Sequence, residues 1–299
     1  MIQLKNKEHL AGKIAGRKMI ATLLFAMLLL PLAVLGEVRY HCGLDSVAVL
    51  RLVDQAREGG EKYGDRIVAA AKALIGVPYA GAADNDSVGT IVVRLDSLNQ
   101  REFIYISMAA AKTAGLTAPT LRDFEKNLEN ISRKKGNDQG FASQFLYGAD
   151  WIVDNVYRGN LKEMTEYLGG GGYRTKTLDY VGRHPGEFPA MANPDVAEKI
   201  RIAEYGYRSH RIPHMKKQSI GNKTTKELML QGDIIIMSSL DDDFDIYDIG
   251  IVALENGEPT LMHISKETGL VTLDPYPLAR LFKIEGQHFY GYRWLRPEE

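Results

Sequence analysis

The stretch LDSLNQREFIYIS, residues 95 to 107, has the surroundings of a reaction site without a reacting group. Asn99 and Glu102 make an N-x-x-E capping box, in which each side chain can satisfy a backbone N–H at the other's position. A helix is therefore predicted to begin at Gln100. A helix start concentrates partial positive charge and N–H donors, which would lower a thiol's pKa or steady an oxyanion. Gln100 can use neither property, because a carboxamide has no ionisable proton and no useful nucleophilicity; it can only hydrogen-bond.

Other candidate clusters lack a required residue or geometry. In LDDDFDIYD, Asp241, Asp243 and Asp245 alternate like calcium ligands, but the sixth position is Ile246 rather than Gly and the twelfth is Val252 rather than Glu. A solvated acidic turn is the expectation. His210 and His214 have the four-residue spacing that suits a metal on a helix, but Pro213 stands between them, so they are expected at the surface. Glycines 169 to 172 lack a following Lys-Ser or Lys-Thr and read as a flexible turn rather than a phosphate loop. Arg133-Lys134-Lys135 reads as a solvated charge run. No metal and no cofactor is expected.

Apolar spacing of three and four predicts helices over residues 45 to 59 and, capped by Asp65, through Ile75, the second stopped by Gly76 and Pro78. TIVVRL (90 to 95) reads as a strand, and the helix from Gln100 should run to Ala114 and stop at Gly115. Residues 141 to 168 read as helical or mixed. From Gly232 the pattern changes to GDIIIMS, DIGIVALENGEPTLMHIS with an Asn256-Gly257 hairpin turn, GLVTLDP and HFYGYRWLRP: four or five antiparallel strands. Helices followed by strands predict an α+β fold whose helical half packs on a small curved antiparallel sheet, with the start of the Gln100 helix pointing at that sheet.

At 299 residues, 45% of them hydrophobic, the chain can bury a substantial core. Residues 1 to 36 stand apart: Lys5, Lys7, Lys13, Arg17 and Lys18 precede an uncharged apolar run from Met19 to Gly36. This is the pattern of a signal peptide, with a retained N-terminal anchor as the alternative, and it leaves residues 37 to 299 as a single domain. Removing the segment takes away five positive charges and one negative, moving the net charge from -1 to -5. Nucleic acid is then a poor partner, and the membrane is a partner only through an uncleaved segment. Cys42 is the sole cysteine, which excludes an intramolecular disulfide, and a mobile terminal position would not suit it for a nucleophile's role.

The segments IGVPYAGAADND, IVVRLDSLNQREFIYISMAAAKTA, GADWIVDN, RHPGEFPAM, QGDIIIMS, DIYDIGIVALENG, LMHIS and GYRWLRP, in this order and spacing, resemble the N-acetylmuramoyl-L-alanine amidase-like family over roughly residues 45 to 296. The resemblance implies a papain-like fold of the NlpC-type clan, cysteine hydrolases that cut peptide or amide bonds in bacterial cell walls. Where the family carries Leu-Asp-Cys-Thr-Thr-Phe-Val-Glu, this chain has Leu98 to Tyr105, so the cysteine maps to Gln100. The family's Ser-His-Val-Gly-Ile maps to Tyr247 to Ile251, placing Asp248 at the general-base histidine. His263 matches the polar residue that orients the base, His184 a family His-Pro, and Asp150-Trp151 a Ser-Asp-Trp near the groove.

Covalent catalysis needs nucleophile and base together, and losing either costs on the order of a millionfold in kcat in well-studied hydrolases. No residue is then assigned a catalytic role; Gln100, Asp248 and His263 are degenerate positions. The leading expectation is an exported, periplasmic or envelope-associated relative that binds a peptidoglycan fragment or short peptide, or a protein partner, through Tyr79, Gln100, Asp150, Trp151, His184, Asp248 and His263. One alternative is a hydrolase in which Asp248 activates a water. The other is a structural subunit whose groove is filled, with Arg101 and Glu102, bulkier than the family's threonines, as the residues that could block it.

Overall fold

The computed structural model describes residues 38–43, 45–81, 90–134, 140–167 and 171–299. The segment expected to direct export lies outside them, as do Lys135 and the first two residues of the glycine run. Among the described residues no helix is long and apolar enough to cross a membrane.

The helices are α1 (Asp45–Glu58), α2 (Tyr63–Ala73), α3 (Gln100–Ala114), α4 (Leu121–Ser132), α5 (Gly148–Tyr157), α6 (Tyr180–Arg183), α7 (Pro194–Tyr205), α8 (Lys223–Leu228) and α9 (Leu278–Ile284). The strands are β1 (Val38–Tyr40), β2 (Ile91–Val93), β3 (Leu161–Glu163), β4 (Gly172–Lys176), β5 (His210–Lys216), β6 (Ile234–Ser239), β7 (Ile246–Glu255), β8 (Glu258–Ile264), β9 (Val271–Pro277) and β10 (Phe289–Pro297). The result is an α+β architecture built on an antiparallel sheet of order β4-β5-β10-β6-β7-β8-β9, with β3 also paired to β10. β1 and β2 form a separate parallel pair.

The alternation of side chains along a strand explains how the layers meet. On β6, Ile234 and Ile236 join α1, α2 and α3 in one core, which also holds Ile249, Ile251 and Met262. Ile235 and Met237 face a second core with Trp294, Tyr292 and α9's Leu281 and Phe282. A strand apolar on both faces is therefore covered on both. Between β7 and β8, Asn256 (φ 52°) and Gly257 (φ 82°) occupy the left-handed conformations that a two-residue hairpin turn requires, as the sequence predicts.

Several expectations need correction. From Gly232 the chain forms five antiparallel strands, β6 to β10, within the four or five expected, but β3, β4 and β5 extend the sheet to eight strands among the described residues. Residues 141 to 167 are mixed, as one of the two expected readings has it: the α-helix is confined to Gly148–Tyr157, Gly159 (φ 75°) turns the chain, and β3 pairs with β10. His210 and His214 are not loose surface residues; both are partly buried on β5, paired to β4. Helix α2 begins at Tyr63, with Lys62 at the cap position, so Asp65 falls inside its first turn instead of capping it. Cys42 is exposed, but it follows β1 rather than lying on a loose end, and its N–H bonds to Asp45 Oδ2 at 2.6 Å.

Two supposedly solvated charge runs are also built into the fold. Asp245 is buried, accepting from the N–H groups of Gly148 (3.1 Å) and Ala149 (2.5 Å) at the start of α5. This arrangement depends on close approach, because a Cβ at Gly148 would collide with Ile246. Asp243 pairs with Arg183 while Asp241 Oδ1 accepts from Asp243 N at 2.9 Å, so the three alternating carboxylates are engaged with three different partners. Arg133 donates to Thr90 O at 3.3 Å, and Lys134 Nζ lies 3.2 Å from Asp150, so neither simply dangles in solvent.

Candidate functional site

The predicted capping box forms. Asn99 Oδ1 accepts from the N–H groups of Arg101 and Glu102, each at 3.0 Å, while Glu102 Oε2 accepts from Asn99 N at 2.9 Å. This fixes the first turn of α3 and aims Gln100 at the sheet. Gln100 Nε2 donates to Asp248 Oδ1 on β7 at 2.9 Å.

Asp248 is 3% exposed and fully engaged. Its Oδ1 also accepts from Ile249 N at 2.8 Å, and its Oδ2 faces His263 Nδ1 on β8 at 2.7 Å. The far nitrogen of the ring, Nε2, lies 3.4 Å from Asp274 Oδ2 on β9, an ion-pair distance too long for a well-formed hydrogen bond. Burial by itself lowers the His263 pKa, but the two flanking carboxylates outweigh it and raise the value to about 9. The site is thus a line of four groups, Gln100 amide, Asp248 carboxylate, His263 imidazolium and Asp274 carboxylate, running from the helix start across three adjacent strands.

None of the four is a nucleophile. The amide is inert, the histidine is held protonated between anions, and Asp248 already accepts three hydrogen bonds from within the protein. What the arrangement can do is present the outer face of Gln100 to a ligand with its geometry fixed from behind.

A cleft of about 430 Å³ opens beside Gln100. Tyr79 lines it and is 51% exposed, held next to Gln100 because Tyr79 N bonds Gly269 O and Ala80 N bonds Leu98 O. Opposite stand Tyr180, Phe188 and Phe244, with Tyr180 4.9 Å from Phe244 and edge-on to Phe188 at 6.4 Å between ring centroids. Neither Arg101 nor Glu102 fills the space: Arg101 Nη1 is tied to Phe145 O at 2.6 Å and forms part of the wall, while Glu102 is folded back into the capping box.

The expected ligand-facing residues separate into groups. Tyr79 and Gln100 line the cleft; Asp248 and His263 lie behind Gln100 and do not. His184 stacks on Tyr180 at 4.1 Å, with Nδ1 2.9 Å from Tyr180 O, so it backs a wall residue. Asp150 and Trp151 are corrections. Asp150 is 4% exposed and accepts from Leu146 N and Tyr147 N, both at 3.0 Å. Burial pushes its carboxyl up, against the pull of Lys134 and those two donors. Trp151 is 1% exposed and donates to Ile131 O at 3.1 Å. Both hold α5 in place. Asp150→Ala should cost about 2 to 3 kcal/mol by urea denaturation, since it leaves two buried N–H groups and a lysine without their acceptor.

Sequence reasoning missed Asp274, Tyr180, Phe188 and Phe244. Asp274 lies in GLVTLDP, where a lone acid in a β-rich segment was a usable sign. Phe244 was equally marked, as a large aromatic inside an acidic loop. Tyr180 carried no local signal, because only the fold brings it opposite Tyr79.

Comparison with known proteins agrees with this frame. A crystal structure of an N-acetylmuramoyl-L-alanine amidase from Bacteroides uniformis superposes with a TM-score of 0.66 at 21% identity, covering 83% of this chain and 100% of that one. A Bacteroides fragilis protein assigned provisionally as a xylanase gives 0.66 at 23% identity, covering 76% and 98%. A Legionella pneumophila protein gives 0.65 at 14% identity, covering 86% and 96%. At such identities the likeness concerns the fold. No curated protein matches the sequence. The profile of one family does, over residues 69–285, most of the chain and both halves of the Gln100–Asp248 pair; the protein belongs to the N-acetylmuramoyl-L-alanine amidase-like family.

Proposed function

We propose that the protein is an exported, non-catalytic member of its family, of the papain-like NlpC type, that binds a peptidoglycan fragment or short wall peptide in the cleft beside Gln100. The observation that carries this reading is the Gln100–Asp248 hydrogen bond of 2.9 Å. It stands where the resemblance places a cysteine and its base, and it joins two groups that cannot attack an amide. Asp248 is a poor activator of water in this setting, being buried behind Gln100 with both oxygens occupied. The open cleft argues against a filled groove.

The cleft suits the proposed ligand chemically. Tyr79, Tyr180, Phe188 and Phe244 offer aromatic faces for sugar rings or acetyl and alanyl methyl groups, and Gln100 offers an amide partner for a peptide bond. Export rests on the basic-then-apolar residues 1 to 36, and the domain's charge of -5 without them argues against nucleic acid.

Calorimetric titration with a disaccharide tetrapeptide tests the binding. Saturable heat is expected, weakened at least ~5-fold by Tyr79→Ala, which removes one aromatic wall. No heat with any wall fragment would instead support a purely structural subunit.

A further inference from the structure

The acidic loop that brings Phe244 to the cleft is folded around a lysine. Lys176, the last residue of β4, is 4% exposed, and its ammonium points into the connection between β6 and β7, residues 240 to 245. Nζ donates to Ser239 O at 2.8 Å, to Phe244 O at 2.6 Å and to Asp241 O. An ammonium has three N–H groups, so each meets its own carbonyl. We infer that Lys176 is a positioning residue of the aromatic cleft: its ammonium serves the β6–β7 loop as a built-in monovalent cation and thereby fixes Phe244 as part of one wall.

Two observations carry the inference. The first is that Lys176 is held as a bound cation is held, and not as half of an ion pair. All three acceptors are backbone oxygens, while Asp245 is engaged at the start of α5, Asp243 with Arg183 and Asp242 with Arg174 at 3.5 Å. Burial lowers the Lys176 pKa, with Arg174 adding to the effect, and Asp245, Asp242 and Asp241 oppose them by favouring the charged form. A lysine is almost never fully buried without such compensation. The field of the acidic loop is therefore answered by a cation that the chain itself supplies.

The second observation is how little else holds Phe244. Its side chain is 44% exposed, with the Tyr180 ring 4.9 Å away. The loop is anchored at its ends, where Ser239 N bonds Asp245 O and Asp245 reaches α5. Between those ends, the bonds from Asp241 N to Ser239 Oγ and from Asp243 N to Asp241 Oδ1 shape the loop without tying it to β4. The pairs made by Asp242 and Asp243 are largely open to solvent, where ion pairs contribute little. That leaves Lys176 as the buried tie on Asp241 O and Phe244 O. The consequence for ligand affinity rests on the proposed reading of the cleft; the placement of Phe244 does not.

Acrylamide quenching of a Phe244→Trp chain tests the placement without any ligand. Trp151 and Trp294 are 1% and 0% exposed, so quenching reports on position 244. Adding Lys176→Ala should raise the quenching constant at least ~2-fold, because the loop loses three charge-assisted hydrogen bonds. n-Propylammonium replaces the atoms removed and should reverse the rise, whereas tetramethylammonium at the same ionic strength, having no N–H, should not. With Phe244 retained, Lys176→Ala should weaken calorimetric binding of the disaccharide tetrapeptide at least ~3-fold, again restored by n-propylammonium, since the wall must then be ordered on binding. If Lys176→Ala does not fold, Lys176→Met keeps the stem, lacks the donors and should show the same rise in quenching. Quenching that ignores the loss of Lys176, a reversal that both ammonium ions produce equally, or a displaced position 244 with unaltered affinity would overturn the assignment. A native chain that does not bind the tetrapeptide would contradict the proposed function instead, and quenching would still decide what Lys176 does.

Discussion

Replacing Gln100 by Cys and Asp248 by His together should give a protein that cleaves muropeptides at a rate at least ~10³ above the native background. The capping box leaves residue 100 at the positive end of a 15-residue helix, where a thiol would be held more acidic than in water. The side chains of residues 100 and 248 meet end to end, Gln100 Nε2 to Asp248 Oδ1 at 2.9 Å, and a shorter Cys facing a longer His divides the same backbone-to-backbone span, keeping nucleophile and base in reach of each other. Behind them, His263 and Asp274 remain to orient a histidine at 248, although the new ring must displace the carboxylate that now neutralises His263. Neither single replacement should suffice, because nucleophile and base act as a unit and their contributions are far from additive. Product analysis by liquid chromatography checks this. Equal activity in the native chain and the double variant would mean that the chemistry resides elsewhere.

The second large effect concerns stability. His263 is raised from its ordinary 6.5 to about 9 on folding, so its contribution is complete below pH 6.5 and is lost as pH rises through about 9. The raise corresponds to about 3 kcal/mol. Asp248→Ala removes one of the two anions that hold the imidazolium and also strands the Gln100 amide, and it should cost about 3 to 5 kcal/mol at pH 6. The gap between native and variant should shrink by pH 10, where the native imidazole has also lost its proton. Urea midpoints measured at intervals from pH 6 to 10 give both the size and the sign; a gap that stayed constant would mean that His263 is neutral throughout.

The two predictions rest on parts of the molecule that were unequally visible in the sequence. The capping box, the extent of α3 and the Asn256-Gly257 hairpin were legible because each is encoded locally, by side chains a few residues apart acting on the neighbouring backbone. β3, β4 and β5 were not, since short strands such as LKE and GYRTK have no periodicity of their own and exist through pairing with β10 and with each other. The same distinction runs through the site. Gln100 and Asp248 are legible because the resemblance supplies other residues at their positions, and His263 because it matches the family's histidine, whereas the aromatic wall opposite Tyr79 depends on segments more than a hundred residues apart meeting in space. Asp150 and Asp245 misled in opposite ways. The sequence points one to the groove and the other to solvent, yet both are buried acceptors for N–H groups around the start of α5, a role that short polar side chains fill wherever a helix begins inside a protein.

Helix and sheet therefore meet in a fixed, hydrogen-bonded contact backed by a buried charge, with a cleft open on its outer side. On the proposed reading, that combination holds a ligand rather than transforming it. The most direct test is prolonged incubation of the native protein with a defined muropeptide, followed by mass analysis. The account predicts that the muropeptide is recovered intact, while a cleaved amide bond that persists in the native chain and vanishes in Asp248→Asn would contradict it.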